Sequence, residues 1–156
     1  MRKIIAAVLL ACVCVPALAQ TDKKADEAAV KNTINRFFEG LQKGDTAIML
    51  RTITDSMGLQ TIGKARTGEI RLRKETVNDF VVSITKRPPE VKSLEERITF
   101  DAVHIDGNLA VAWTPYKFFV NEKLSHCGAN CFTLVKFKEE WKIVNIIDTR
   151  RREGCE

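Results

Sequence analysis

To move protons or form covalent bonds, a small domain needs a carboxylate, an imidazole or a thiol held away from water. Asp101 lies between Phe100 and Ala102, and a hairpin about Asp106-Gly107 would set it beside Ala112, facing inward as a general base. Asp148 shares a strand face with Arg150, whose charge would favour the ionised acid and weaken it as a base. With Arg151 and Arg152 next to it, Asp148 reads as a salt-bridged strand end on the surface. His126 stands where a loop enters a strand; its near-neutral intrinsic pKa makes it the second acid–base candidate, against the plainer reading of a surface hydrogen-bonding residue. One face of Leu109–Val120 carries Ala110, Ala112, Thr114, Tyr116 and Phe118, so small residues give way to large ones along its length. Turned inward, the alanines admit a helix while Tyr116 and Phe118 wall a cavity near its mouth; the alternative is an ordinary core with a satisfied phenol. Tyr116, Phe118, His126, Asp101 and Arg150 therefore form the candidate ligand-binding set.

Other chemistries find less support. His104, and His126 beside Cys127 and Cys131, lack the CxxC or HxxxH spacing of a metal site, so no metal is expected. No GxSxG elbow, phosphate loop or glycine-rich dinucleotide turn occurs, and no cofactor is implied. Cys127 and Cys131 in one extended strand would lie about 13 Å apart, beyond disulfide reach. A final hairpin with Glu139-Glu140 as its loop sets Lys138 opposite Trp141 and brings Cys155 to Leu124, nearer Cys127 than Cys131. A Cys127–Cys155 disulfide with Cys131 free and buried is the expectation; three reduced thiols, or a bond between chains, are the alternatives.

Helices precede strands in the elements that must carry these residues. Val30, Ile34, Phe37, Phe38 and Leu41 recur at helical spacing up to Gly44, and Asp45 can cap a short second helix bearing Ile48, Met49 and Ile53. Between Met57 and Arg73 three glycines divide two short strands or a loop, where Lys64, Arg66, Arg71, Arg73 and Lys74 read as a solvated edge that deters strand pairing. Val77, Phe80, Val81 and Ile84 make a third helical stripe, capped by Thr76 with Asp79 and stopped by Pro88-Pro89. Strand-like runs then span Ile98–Ile105 and Leu109–Val120 about the Asp106-Gly107 turn, followed by Phe132–Phe137 and Trp141–Ile147. The order indicates an α+β domain in which a curved antiparallel sheet folds over the helices.

At 156 residues, 45% hydrophobic and 29% charged, the chain has room for one globular domain, and a disordered or collagen-like chain is excluded. Arg2 and Lys3, the apolar run Ile4–Val15, Pro16 and then Ala17-Leu18-Ala19 follow the order of a secretory signal peptide over residues 1–19. The run is shorter than the roughly 20 residues of a membrane span. Leu10-Ala11-Cys12 offers the competing lipoprotein reading. Cleavage before Gln20 would leave a domain over 20–156, periplasmic or secreted and without a membrane segment, at a net charge of +3 that gives little reason to invoke nucleic acid.

Tyr116-Lys117-Phe118, His126-Cys127-Gly128, Phe132-Thr133-Leu134, Trp141-Lys142-Ile143 and Asp148-Thr149-Arg150-Arg151 with Cys155 occur in the order seen in exported bacterial members of the nuclear transport factor 2-like superfamily. The chain resembles in particular the branch named for lumazine binding. The resemblance implies a cone-shaped α+β fold, with N-terminal helices packed on a strongly curved antiparallel sheet, a cavity between the first helix and the sheet, and frequent dimerisation through the sheet. It implies no single chemistry, since isomerases, cyclases, epoxide hydrolases and noncatalytic partners share that fold; the Asp-Arg-Asp set of the epoxide hydrolases is not found here. The expectation is a noncatalytic binder of a small, partly aromatic or acidic molecule. An isomerase, cyclase or hydrolase using Asp101 or His126 is the first alternative, and a dimerising interaction module the second. For the dimer, Leu109, Val111 and Trp113 offer an apolar strip if they face away from the helices.

Overall fold

The computed structural model describes residues 16–155; most of the expected signal segment, including Cys12, lies outside them. Helix α1 (Pro16–Lys43) presents Val30, Ile34, Phe37, Phe38 and Leu41 as one buried stripe and ends at Gly44, whose φ of +69° suits a residue without a Cβ. Asp45 then caps α2 (Thr46–Leu50) by accepting the Ala47 and Ile48 amides. Ile53, expected on that helix, instead opens strand β1 (Ile53–Lys64), and β2 (Ile70–Glu75) returns antiparallel to it, so the glycine-divided stretch is a strand pair. Helix α3 (Val77–Thr85) starts on Thr76, which accepts the Asp79 amide as expected.

The run Ile98–Ile105 is not one strand. It divides into β3 (Leu94–Ile98) and β4 (Ala102–Asp106), both paired with β5 (Leu109–Val120). Pro115 explains the break: its carbonyl accepts the Thr99 amide, but it has no N–H with which to return the bond. Strand β6 (Lys123–Phe137) begins earlier than expected, placing His126 within the sheet rather than on a loop, and β7 (Glu140–Thr149) follows. Lys138 has a φ of 55° and occupies the hairpin turn with Glu139, so Lys136, not Lys138, faces Trp141.

These strands form a seven-stranded sheet in the order β2-β1-β7-β6-β5-β3, with β4 also on β5. The pairing of β1 with β7 is parallel, which corrects the all-antiparallel expectation: this curved sheet is mixed. The α+β expectation otherwise stands, with the helices packed on the sheet's concave face.

Residues paired across strands share a face. The buried Ala110, Ala112, Thr114 and Tyr116 of β5 point toward the helices, while Leu109 and Trp113 are exposed on the convex side. Asp26 secures α1 by accepting Lys136 Nζ at 2.7 Å and Trp141 Nε1 at 3.1 Å, a contact that lowers its pKa below the usual carboxylate range, foremost through the Lys136 bond. Cys127 bridges to Arg151, after which the chain turns at Gly154 and bonds Cys155 to Cys127 with a Cα–Cα distance of 5.6 Å. The disulfide is the expected one although the hairpin register is not. Closing a loop of this separation, 28 residues, contributes about 3.5 kcal/mol in the chain-entropy model. Cys131 is free but only partly buried, on the convex face opposite Trp113.

Candidate ligand-binding cavity

Between α1, α3 and the concave sheet lies a cavity of about 170 Å³. Phe37, Phe38 and Leu41 of α1 and Phe80 and Ile84 of α3 form one wall; Phe132, Ile146 and Leu59 form the floor. The walls follow from the same helical stripes that build the core, since a stripe wider than the sheet can cover leaves part of its surface facing a gap.

Beyond the apolar floor the sheet turns polar in a single rung. Register pairs Thr114 with Asn130, Asn130 with Asp148, and Asp148 with Thr61, so four side chains from four strands stand in a row on the concave face. Asp148 is buried and accepts the Thr61 hydroxyl at 2.6 Å and the Tyr116 hydroxyl at 3.2 Å; the latter also reaches the Thr149 carbonyl at 3.0 Å. Burial, with the negative charges of Asp148 and Glu96 next, raises the Tyr116 pKa and keeps the phenol protonated as a donor. Asn130 donates from Nδ2 to Glu96 Oε1 at 2.8 Å and to Thr114 at 3.4 Å.

Glu96 enters from β3, where strand alternation puts it on the same side as Leu94, and both line the cavity. Desolvation pushes its carboxyl up to about 7; the Asn130 bond opposes this, the Asp148 charge adds to it and Arg150 opposes it. Arg150, at the rim, sets Nε 3.9 Å from Asp148 Oδ2 with its side chain 44% exposed.

Of the expected site residues, Tyr116, Phe118 and Arg150 line the cavity. His126 stands behind that wall, its ring stacked on Phe118 at 4.8 Å and edge-on to Tyr116 at 5.8 Å, with Nδ1 3.1 Å from the Ser125 hydroxyl. Burial, then the charges of Arg150 and Arg152, pushes its imidazole down to about 4, so near neutral pH the ring is uncharged and is not poised as an imidazolium acid. Asp101 is exposed at the bend between β3 and β4 and is not among the residues lining the cavity; the hairpin turns on Gly107-Asn108 rather than on the expected Asp106-Gly107, so Val103 faces Ala112 and the Asp101 amide reaches the Trp113 carbonyl. Asp148, read from sequence as a surface strand end, is instead at the centre of the polar rung.

Glu96 was missed altogether. Its signal was the alternation Leu94-Glu96-Ile98, which places a carboxyl between two apolar residues on one strand face. Among the described residues no cluster of His, Cys, Asp and Glu is arranged to hold a metal.

Solved structures resemble the whole domain. A nuclear transport factor 2-like protein with a cystatin-like fold from Novosphingobium aromaticivorans superposes with a TM-score of 0.69 at 15% identity, over 88% of this chain and 90% of that one. A nuclear transport factor 2-like protein of unknown function from Shewanella baltica gives 0.61 at 16% identity, over 83% and 96%. Another from Methylobacillus flagellatus gives 0.60 at 18%, over 81% and 93%. At these identities the likeness establishes the fold. No curated protein is similar to the chain in sequence. The family model described as "Putative lumazine-binding" matches residues 25–147, and the chain belongs to that family, with the fold of nuclear transport factor 2-like proteins.

Proposed function

We propose that the domain binds a small organic molecule in the cavity between α1, α3 and the sheet, outside the cytoplasm, as a homodimer joined through the convex face. The observation that carries the binding reading is the polar rung set within aromatic walls: convergent hydrogen-bonding groups in an apolar concavity are the usual form of a small-molecule site. The family's description supports a small ligand. Tyr116 and Phe118 are the wall of the site and Arg150 its rim; His126 acts through Phe118 by fixing the ring's position. Arg2 and Lys3 ahead of an apolar run, the small residues Ala17 and Ala19, and the disulfide support export, since such bonds persist in oxidising compartments. No helix among the described residues is long and apolar enough to cross a membrane.

A second reading has one observation in its favour. Glu96, with its carboxyl pushed up to about 7, is suited to exchange a proton near neutral pH, as a general acid or base must.

Ser83 lines the cavity from α3, and its hydroxyl is turned back onto the Phe80 carbonyl. Ser83→Trp should therefore fill the space without removing any wall. Calorimetric titration with a panel of aromatic heterocycles, lumazine included, is expected to show binding to wild type and at least about tenfold weaker binding to Ser83→Trp. Equal affinities would move the site elsewhere. Turnover of any panel member that disappears in Glu96→Gln would establish the enzymatic reading in place of simple binding.

A further inference from the structure

Hydrogen-bond donors and acceptors facing the cavity are unequally committed. The Thr61 hydroxyl is spent on Asp148, the Tyr116 hydroxyl on Asp148 and the Thr149 carbonyl, the Ser83 hydroxyl on the Phe80 carbonyl, and the Asn130 amide on Glu96 and Thr114. Acceptor capacity remains: Glu96 receives one hydrogen bond, on Oε1, and each carboxyl can accept about four. Away from Arg150 at the rim, a ligand entering this cavity must bring donors of its own.

Charge points the same way. Glu75, Glu96 and Asp148 line the cavity against Arg150 as the single cationic side chain, and Arg150 stands at the rim, partly turned to Asp148. Phe37, Phe38, Phe80 and Phe132 present aromatic faces or edges around the same space, packed on one another at centroid separations of 5.4 to 6.4 Å. Aromatic faces attract a cation, and the attraction grows when both are removed from water. A volume of about 170 Å³ is close to that of a cavity that holds a single benzene ring.

We propose that the cavity selects a compact organic cation, a one-ring amine whose ammonium N–H groups meet Glu96 and Asp148 while its ring packs among the phenylalanines. This rests on the binding reading above and specifies its ligand class. It keeps the aromatic part of the sequence expectation and departs from the acidic alternative, because Arg150 is at the rim while Glu96 and Asp148 face the interior.

Three probes of nearly equal shape separate the possibilities: benzylamine, benzyl alcohol and benzoate, titrated against the 15N-labelled protein at pH 7.5 (about neutral) and followed by amide shifts of residues on β6 and β7. The ammonium is expected to bind at least about tenfold tighter than the alcohol, and benzoate weakest of the three. In Glu96→Gln the preference for the amine over the alcohol should fall to within about threefold. If the alcohol or benzoate equals or exceeds the amine, the cation proposal is overturned and the cavity stays a binding site. If none of the three shifts these amides, the cation proposal falls, and the heterocycle titration decides the binding reading. The wild-type comparison decides the matter even if Glu96→Gln does not fold.

Discussion

Burial drives two side chains of the site in opposite directions. Desolvation pushes Glu96 up from 4.5 to about 7 and His126 down from 6.5 to about 4. Between pH 4.5 and about 7 the folded protein keeps a proton on Glu96 that the unfolded chain releases, so this contribution to stability falls as pH rises. Between pH 6.5 and about 4 the unfolded chain takes up a proton that folded His126 refuses, so this contribution falls as pH drops. The windows overlap and the two slopes offset each other. Glu96→Gln is therefore expected to lose stability relative to wild type as pH falls through the overlap, and His126→Phe, which keeps the stack on Phe118, to gain it. Each change should be on the order of 2 kcal/mol, read from urea midpoints at matched pH. A variant-to-wild-type difference that stays constant with pH would mean that both groups meet water in the folded protein. Single residues were also where the sequence was hardest to read. Tyr116 and Phe118 were legible because the tapering face of β5 is continuous in sequence. Asp148 and Glu96 were not, because their significance depends on neighbours more than 30 positions away, such as Tyr116 for Asp148 and Asn130 for Glu96.

Elements with local signals were readable and those set by distant contacts were not. The apolar stripes of α1 and α3 and the caps on Asp45 and Thr76 are written within one turn of chain. The parallel join of β1 to β7 has no turn to announce it, and the split between β3 and β4 depends on a proline in another strand. Gly128 shows how closely these elements meet. It pairs with Tyr116 on β5, and a Cβ built there would fall on the Thr149 carbonyl oxygen and within 2.8 Å of Tyr116 Cε1. The missing side chain is what lets the phenol lie across β6 and reach Asp148 on β7. Gly128→Ala should therefore destabilise the domain by about 3 kcal/mol, because the obstacle is backbone that a rotamer change cannot clear. It should also release the Tyr116 hydroxyl from Asp148, visible as a change in the tyrosine's absorption or fluorescence in the folded variant. A loss below about 1 kcal/mol would show that β6 and β7 have slack the structure does not display.

The molecule as a whole has a concave face committed to helices and cavity and a convex face that, beyond the end held by the Cys127–Cys155 disulfide, no helix among the described residues covers. On the convex side Ala102, Trp113, Cys131, Ile147 and Gln60 line up across five strands, next to Leu109 and Val111 on β5. Leu109 is 48% exposed and Trp113 44%, and Leu72 lies uncovered further along the sheet. An apolar strip of this extent on a folded surface usually marks an interface. A two-fold pairing would set the same strip against itself, as the commonest oligomers do. Association should appear in sedimentation velocity as a concentration-dependent shift from monomer to dimer in the micromolar range. Trp113→Glu should abolish the shift without unfolding the domain, since an exposed side chain contributes little to the core. Cys131 supplies an independent reading: it stands beside Trp113 in the strip, so a dimer shields its thiol, and alkylation by iodoacetamide should slow as protein concentration rises in wild type but not in Trp113→Glu. A monomer at high micromolar concentration, with Cys131 alkylated at one rate throughout, would leave the convex face as plain solvent-exposed sheet and remove the dimer from the proposed function.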